Sequence, residues 1–185
     1  MTSAKRILFI TYEYPPVGGG MGKAARNLCR YLVKRGHEVS LLTSRFDDLP
    51  AREDDEGINV VRIPVFRRHI NFANAFEVLS FAASGALTMP AWKRKTGEYD
   101  KAVAFLTIPS GMVAEWARWF GGKPWVAFLR GQDVPGYPDT PAWMHKVAWP
   151  VTWWHWKHAE QVLSNSVWLG DLAKKSLPEL EVGLV

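Results

Sequence analysis

Between Arg6 and Lys34 an apolar run, a Pro-Pro break, three glycines and a helical pattern follow one another, and few folds accommodate that order. Ile7, Leu8, Phe9 and Ile10 form an almost continuous apolar run, as a strand does when both faces of a parallel sheet are covered. Pro15 and Pro16 stop the ladder. Gly18, Gly19 and Gly20 then allow backbone angles closed to other residues and put no Cβ between the chain and a ligand. Ala25, Leu28, Cys29, Leu32 and Val33 recur at three- and four-residue steps, with Lys23, Arg26, Asn27, Arg30 and Lys34 on the other face. The spacing predicts a helix that starts at the glycines, its unpaired amides and positive dipole end aimed into the loop. Such an end holds a phosphate or sulfate without any side chain. A tight turn that binds nothing has the same glycine pattern.

Composition sets the scale. With 185 residues, 48% hydrophobic and 22% charged, the chain is ordinary globular material, long enough for one three-layer α/β domain. Its single cysteine, Cys29, excludes an internal disulfide and falls on the apolar helix face, where packing is its expected role. The first residues have an apolar run too short to span a membrane and no small-residue cleavage pattern, so a cytoplasmic protein is expected. A net charge of +5 is compatible with anionic lipid, nucleic acid or phosphorylated ligands without choosing among them.

Strand and helix alternate along the rest of the chain. Gly36 closes the first helix, residues 39–43 form a second strand, residues 44–57 read as a solvated acidic loop, and residues 58–65 form a third strand. Residues 72–92, mostly apolar and small, read as one buried or interfacial helix. Residues 99–106, 124–130, 161–165 and 181–185 supply four more strands. Helices are expected over 109–120, over 140–157, where Pro150 must break or kink the helix, and over 166–176, which Ser166 can cap. The fold class is therefore α/β: a three-layer α/β/α, Rossmann-like, doubly wound parallel sheet of about seven strands, with its ligand cleft at the carboxyl ends of the strands. The strand ends carry Tyr12-Glu13-Tyr14, Thr107 to Gly111, Arg130 to Asp133 and Asn165-Ser166.

Two nucleotide motifs compete for the glycine loop. The dinucleotide fingerprint G-x-G-x-x-G is matched by Gly18 and Gly20 but not at Lys23, and Arg45 stands where a ribose acid is wanted, so an NADP-dependent oxidoreductase is an alternative. A P-loop is excluded, because three residues separate Gly18 from Gly22 and Ala24 follows Lys23.

The phrases YEYPPVGGGMGKAARNLCRYLVKRGHEVSLLT, FLRGQDVPGY and HAEQVLSNSVWLGDLAKK together resemble the N-terminal domain of family-4 retaining glycosyltransferases of the GT-B architecture, over nearly all of the chain. The resemblance implies two facing Rossmann-like domains, with the acceptor held mainly on the N-terminal one and most of the nucleotide-sugar on a C-terminal one. Residues 1–185 would be the acceptor-side domain, and the C-terminal domain, with its glutamate pair for the donor, would be missing. It further implies that the amides of Gly18, Gly19 and Gly20 face the donor diphosphate, where charge grows as the leaving group departs. Arg130 and Asp133 would line the acceptor side, with Tyr14, Lys23 and Ser166 nearby. Thr107 and Arg130 stand where many members carry histidines, so no general base is assigned. The substrates implied are a nucleotide-sugar donor and a glycan or lipid-linked acceptor. No metal and no separate cofactor are expected, and the isolated chain is expected to transfer nothing.

Arg67, Arg68 and His69 precede the apolar stretch and Lys93, Arg94 and Lys95 follow it, with Trp92 at the junction, a pattern that suits an anionic bilayer surface over residues 67–95 as well as a core-packed helix with solvated ends. Peripheral association with the inner face of a membrane, or a non-catalytic membrane-surface or carbohydrate-binding module, follows as a further alternative. Trp143, Trp149, Trp153, Trp154 and Trp156 sit at mixed spacing and cannot all line one pocket. No nucleic-acid reader motif is present, and nucleic acid is not an expected partner.

Overall fold

Alternate residues of β1 (Arg6–Thr11) face opposite ways, Leu8 and Ile10 into one apolar cluster and Phe9 into another. The first strand is thus buried on both sides, as its sequence demands. The structure, a computed structural model, describes residues 3–138 and 140–185. On one side of β1 lie β2 (Glu38–Ser44), β3 (Arg52–Asp55) and β4 (Ile58–Ile63), in the outward order β2, β4, β3. On the other side β5 (Lys101–Phe105), β6 (Trp125–Leu129), β7 (Gln161–Ser164) and β8 (Val182–Leu184) follow in sequence. All neighbours pair in parallel except β3 with β4. The strand order reverses between β1 and β5, so the cleft of this sheet opens above those two strands.

Helix α1 (Gly20–Lys34) covers the Phe9 face with Ala25 and Cys29. The opposite face is covered by α2 (Ala75–Leu87), α3 (Met89–Thr96), α4 (Met112–Gly121), α5 (Ala142–His158) and α6 (Val167–Ser176), which bring Phe81, Trp92, Val113, Trp156 and Leu169 into one apolar cluster with Leu8 and Ile10. This is the expected three-layer α/β/α Rossmann-like sheet, with eight strands among the described residues in place of about seven.

The extra strand corrects the reading of residues 44–57 as a solvated loop. Glu56 and Gly57 both take positive φ, the geometry of a tight hairpin, and fold Arg52–Asp55 back along β4. Asp55 is far from solvated: its carboxylate accepts from Arg26 at 2.6 Å and from the Tyr14 hydroxyl at 2.5 Å. Those hydrogen bonds, the Arg26 one foremost, hold Asp55 below the usual carboxylate range. Arg62 on β4 is equally committed. Its side chain has no exposure, and its guanidinium donates to Glu53 at 2.6 Å, to the Pro15 carbonyl at 3.3 Å and to the Pro50 carbonyl at 3.4 Å.

Two helix boundaries also differ from expectation. Residues 72–92 form two helices, since the chain turns at Thr88 and Pro90 opens α3 in the first turn, where a missing N–H costs nothing. Asn74 caps α2, accepting from Glu77 N at 2.9 Å while the Glu77 carboxylate accepts from Asn74 N, also at 2.9 Å. Helix α5 runs on through Pro150, which is exposed, as is Lys146 one turn before it, whose carbonyl loses its helical partner. Its histidines serve separate packing roles: His155 stands edge-on to Trp125 and burial drives its pKa down to about 4, while His158 stacks on Trp154.

Candidate functional site

The cleft begins at the glycine loop between β1 and α1. Gly18 takes φ +85°, and a Cβ there would lie 2.7 Å from the Glu13 Cβ and closer still to its carboxylate. Gly18 is therefore glycine because Glu13 fills the space beside it. Its amide donates to the Ile70 carbonyl at 2.8 Å and is not free for a ligand, which removes it from the three amides expected to meet a diphosphate. The Gly19 amide donates to Glu13 Oε2 at 3.3 Å. Gly20 opens the helix, so its amide has no intrahelical acceptor. Around Gly19 and Gly20 none of the described residues comes within 4 Å of a Cβ position, and both are exposed. The start of α1 has neither a side-chain cap nor an acid in its first turn, so its positive end is directed at open space.

The opposite wall is the turn after β6. Asp133 accepts four hydrogen bonds: from Arg130 N and Gly131 N at 3.0 Å on one oxygen, and from Thr107 N at 2.9 Å and Thr107 Oγ1 at 3.0 Å on the other. Thr107 Oγ1 in turn accepts from Trp156 Nε1 at 2.9 Å. This carboxylate ties the end of β5 to the end of β6 and so shapes this wall of the cleft, with both its oxygens engaged in the tie. Thr107 is fully buried and has both its proton and an oxygen lone pair in use. Arg130 is different. Its guanidinium lies 4.6 Å over the Phe105 ring and 5.8 Å over the Phe128 ring, its Nε has no partner among the described residues, and burial pulls its pKa down. Phe9, Phe105 and Phe128 form one aromatic row on the α1 face of the sheet, so the Arg130 cation stands on the same face as the start of α1.

The other sequence-derived candidates separate. Tyr14 is buried in the Phe9 cluster with its hydroxyl on Asp55, and burial raises its pKa; it gives the cleft no group, a correction that follows from its side of the loop. Lys23 is exposed on the first turn of α1. Ser166 turns its hydroxyl to Leu169 N at 3.3 Å as the cap of α6. Within the basic run, Arg67 is not a surface cation: its side chain has no exposure, and it donates to the His69 carbonyl at 2.9 Å and the Ile70 carbonyl at 3.0 Å. Trp92 is buried likewise, its Nε1 on the Gly85 carbonyl at 2.7 Å.

A profile of the Glycosyl transferase 4-like domain matches residues 19–178, from inside the glycine loop to the end of α6. The chain belongs to this glycosyl transferase 4-like family. Its structure is similar to a sucrose-phosphate synthase from Thermosynechococcus elongatus, with a TM-score of 0.66 at 15% identity over 97% of this chain and 86% of that one. It is similar also to the catalytic domain of starch synthase IV from Arabidopsis thaliana, bound to ADP and acarbose, with a TM-score of 0.61 at 12% identity over 98% of this chain and 52% of that one. An uncharacterized glycosyltransferase of Methanocaldococcus jannaschii is 39% identical over 66 residues, which are 35% of this chain and 17% of that protein. The chain thus spans a small part of the curated relative it matches. Family membership sets aside the oxidoreductase alternative. Beside the glycine loop, Glu13 is a side chain that sequence reasoning left without a role, and Arg67 is one that it placed on a membrane flank. Glu13 lies two residues past the end of β1 and two before Pro15, and that place after the strand was its one visible signal.

Proposed function

We propose that this glycosyl transferase 4-like domain is the acceptor-side half of a retaining glycosyltransferase that moves a hexose from a nucleotide-sugar to a glycan or lipid-linked acceptor. The observation that carries the reading is the start of α1 at the carboxyl edge of the sheet, where the Gly20 amide is open and the Gly19 amide has only the long bond to Glu13, with the Arg130 cation on the same face. The ADP in the starch synthase neighbour is consistent with a diphosphate leaving group, whose growing charge such amides stabilise. The aromatic row under Arg130 and the turn tied by Asp133 would form the acceptor wall. No metal is assigned a part. The remainder of the donor pocket would lie in sequence outside these residues, so the chain alone should bind and not turn over. Incubation with UDP-, ADP- and GDP-hexoses is expected to release no nucleoside diphosphate steadily, while the matching nucleoside diphosphate shifts the Gly19 and Gly20 amide resonances. Steady turnover would overturn the half-enzyme reading, and unmoved loop resonances would overturn the donor loop.

The lipid side of this proposal rests on α2. Phe76, Leu79, Ala83 and Leu87 recur at three- and four-residue steps on its outward face, all apolar and all exposed, with Leu87 83% accessible, and Phe72 before the helix and Pro90 after it are exposed too. Arg68 and His69 at one end and Arg94 and Lys95 at the other are exposed too, and no helix among the described residues is long and apolar enough to cross a membrane. Such a stripe suits peripheral contact with an anionic bilayer. The Phe76→Glu/Leu87→Glu protein is expected to lose binding to phosphatidylglycerol vesicles at low salt by at least roughly tenfold, read by co-sedimentation. Absence of vesicle binding by the unaltered protein would remove the membrane from the proposal.

A further inference from the structure

We propose that Glu13 is the resident anion of the glycine loop, a gate that a donor diphosphate must displace, and that Arg67 is where its carboxylate goes; this rests on the donor-loop reading above. The carboxylate lies between two donors and is held closely by neither. Glu13 Oε2 is 3.3 Å from the Gly19 amide, long for a charge-assisted bond, and Oε1 is 3.7 Å from Arg67 Nη2, beyond hydrogen-bond range. Arg67 itself is fixed. Its Nε and Nη2 are on the His69 and Ile70 carbonyls, its guanidinium lies 4.7 Å over the Tyr12 ring, and its side chain is wholly buried. Yet its Nη1 has no partner among the described residues, an unusual state for a buried cation.

Helix α1 explains why an acid is held here. A capping box would supply an acid from the third helical position, but that position is Gly22, where a Cβ would meet the Val17 carbonyl at 3.1 Å. Glu13 reaches the Gly19 amide from the preceding strand end instead, through the space that Gly18 leaves. The group that satisfies the loop is therefore a mobile side chain and not part of the helix. An arriving diphosphate brings the same sign of charge to the same amide. The carboxylate is repelled toward Arg67, one loose hydrogen bond and one loose ion pair becoming two close ones. Glu13 acts as a positioning residue: it keeps the loop formed while empty and returns to the amide when the diphosphate leaves.

The test is titration of the chain with inorganic pyrophosphate at low salt, followed through the Gly19 amide resonance. Glu13→Gln keeps an acceptor for Gly19 and removes the competing charge, so pyrophosphate should bind roughly 3- to 10-fold more tightly. Structural damage does not produce such a gain. Arg67→Lys, which keeps the charge and loses the fork that receives the carboxylate, should weaken binding by about 3-fold in the otherwise unaltered protein and leave it unchanged in the Glu13→Gln background. If Arg67→Lys does not fold, Glu13→Gln alone decides. Equal affinity of the unaltered and Glu13→Gln proteins, with Gly19 shifted in both, overturns the gate and leaves the donor loop standing. An unmoved Gly19 resonance in both proteins overturns the gate and the donor loop together.

Discussion

Replacing Asp133 by alanine is expected to lower the unfolding free energy by about 3 to 4 kcal/mol, because four charge-assisted hydrogen bonds lose their acceptor at once. The amides of Thr107, Arg130 and Gly131 would be left part-buried without partners, and Thr107 Oγ1 would lose the group that orients it toward Trp156. These bonds share one carboxylate and do not add, so the figure is well below four separate contributions. Asp133→Asn keeps one oxygen and turns an amide against donors, and should cost about 1 to 2 kcal/mol. Urea unfolding followed by tryptophan fluorescence measures both. A loss below about 1 kcal/mol for Asp133→Ala would mean that the β5 and β6 ends are held by something other than this carboxylate.

Gly18→Ala should cost about 2 to 3 kcal/mol, although it adds one methyl group on a loop. The residue takes φ +85°, which an L side chain adopts at a cost, and the new Cβ would occupy the place of the Glu13 side chain. Gly20→Ala provides the contrast in the same loop. Its Cβ meets nothing within 4 Å and it opens the helix, so the change should be neutral or stabilising by up to about 1 kcal/mol. Comparing the two unfolding midpoints separates a glycine required by its neighbours from one that leaves space. Equal effects would contradict this loop conformation.

The sheet and its cleft were legible because their signals are local. The apolar run of β1, the glycines and the periodicity of α1 each depend on residues a few positions apart, and so does the Ser166 cap of α6. What was not legible depends on partners far along the chain. Arg52–Asp55 is too charged to read as a strand, and it pairs because Glu56 and Gly57 turn it back onto β4. Tyr14 and Arg67 have the residue types of a ligand site and a membrane flank, yet Asp55 draws one into the core and the loop carbonyls draw in the other. Asp133 was read from the strand end as a cleft residue, but its part as a tie required knowing that Thr107 lies opposite. Arg130 was read from the strand end; the aromatic row beneath it comes from three different strands and was not.

The reach of Arg62 has a dynamic consequence. One buried guanidinium binds Glu53 on the edge strand and the Pro15 carbonyl at the root of the glycine loop. Edge strands are where sheets open first, with β3 only four residues long and paired on one side alone. Peeling of β3 withdraws Glu53 from Arg62 and loosens its hold on Pro15 in the same event. The Gly18 amide, held on the Ile70 carbonyl, is thus expected to exchange its hydrogen with solvent in step with the outermost strand, so that the loop's lifetime is set at the far margin of the sheet.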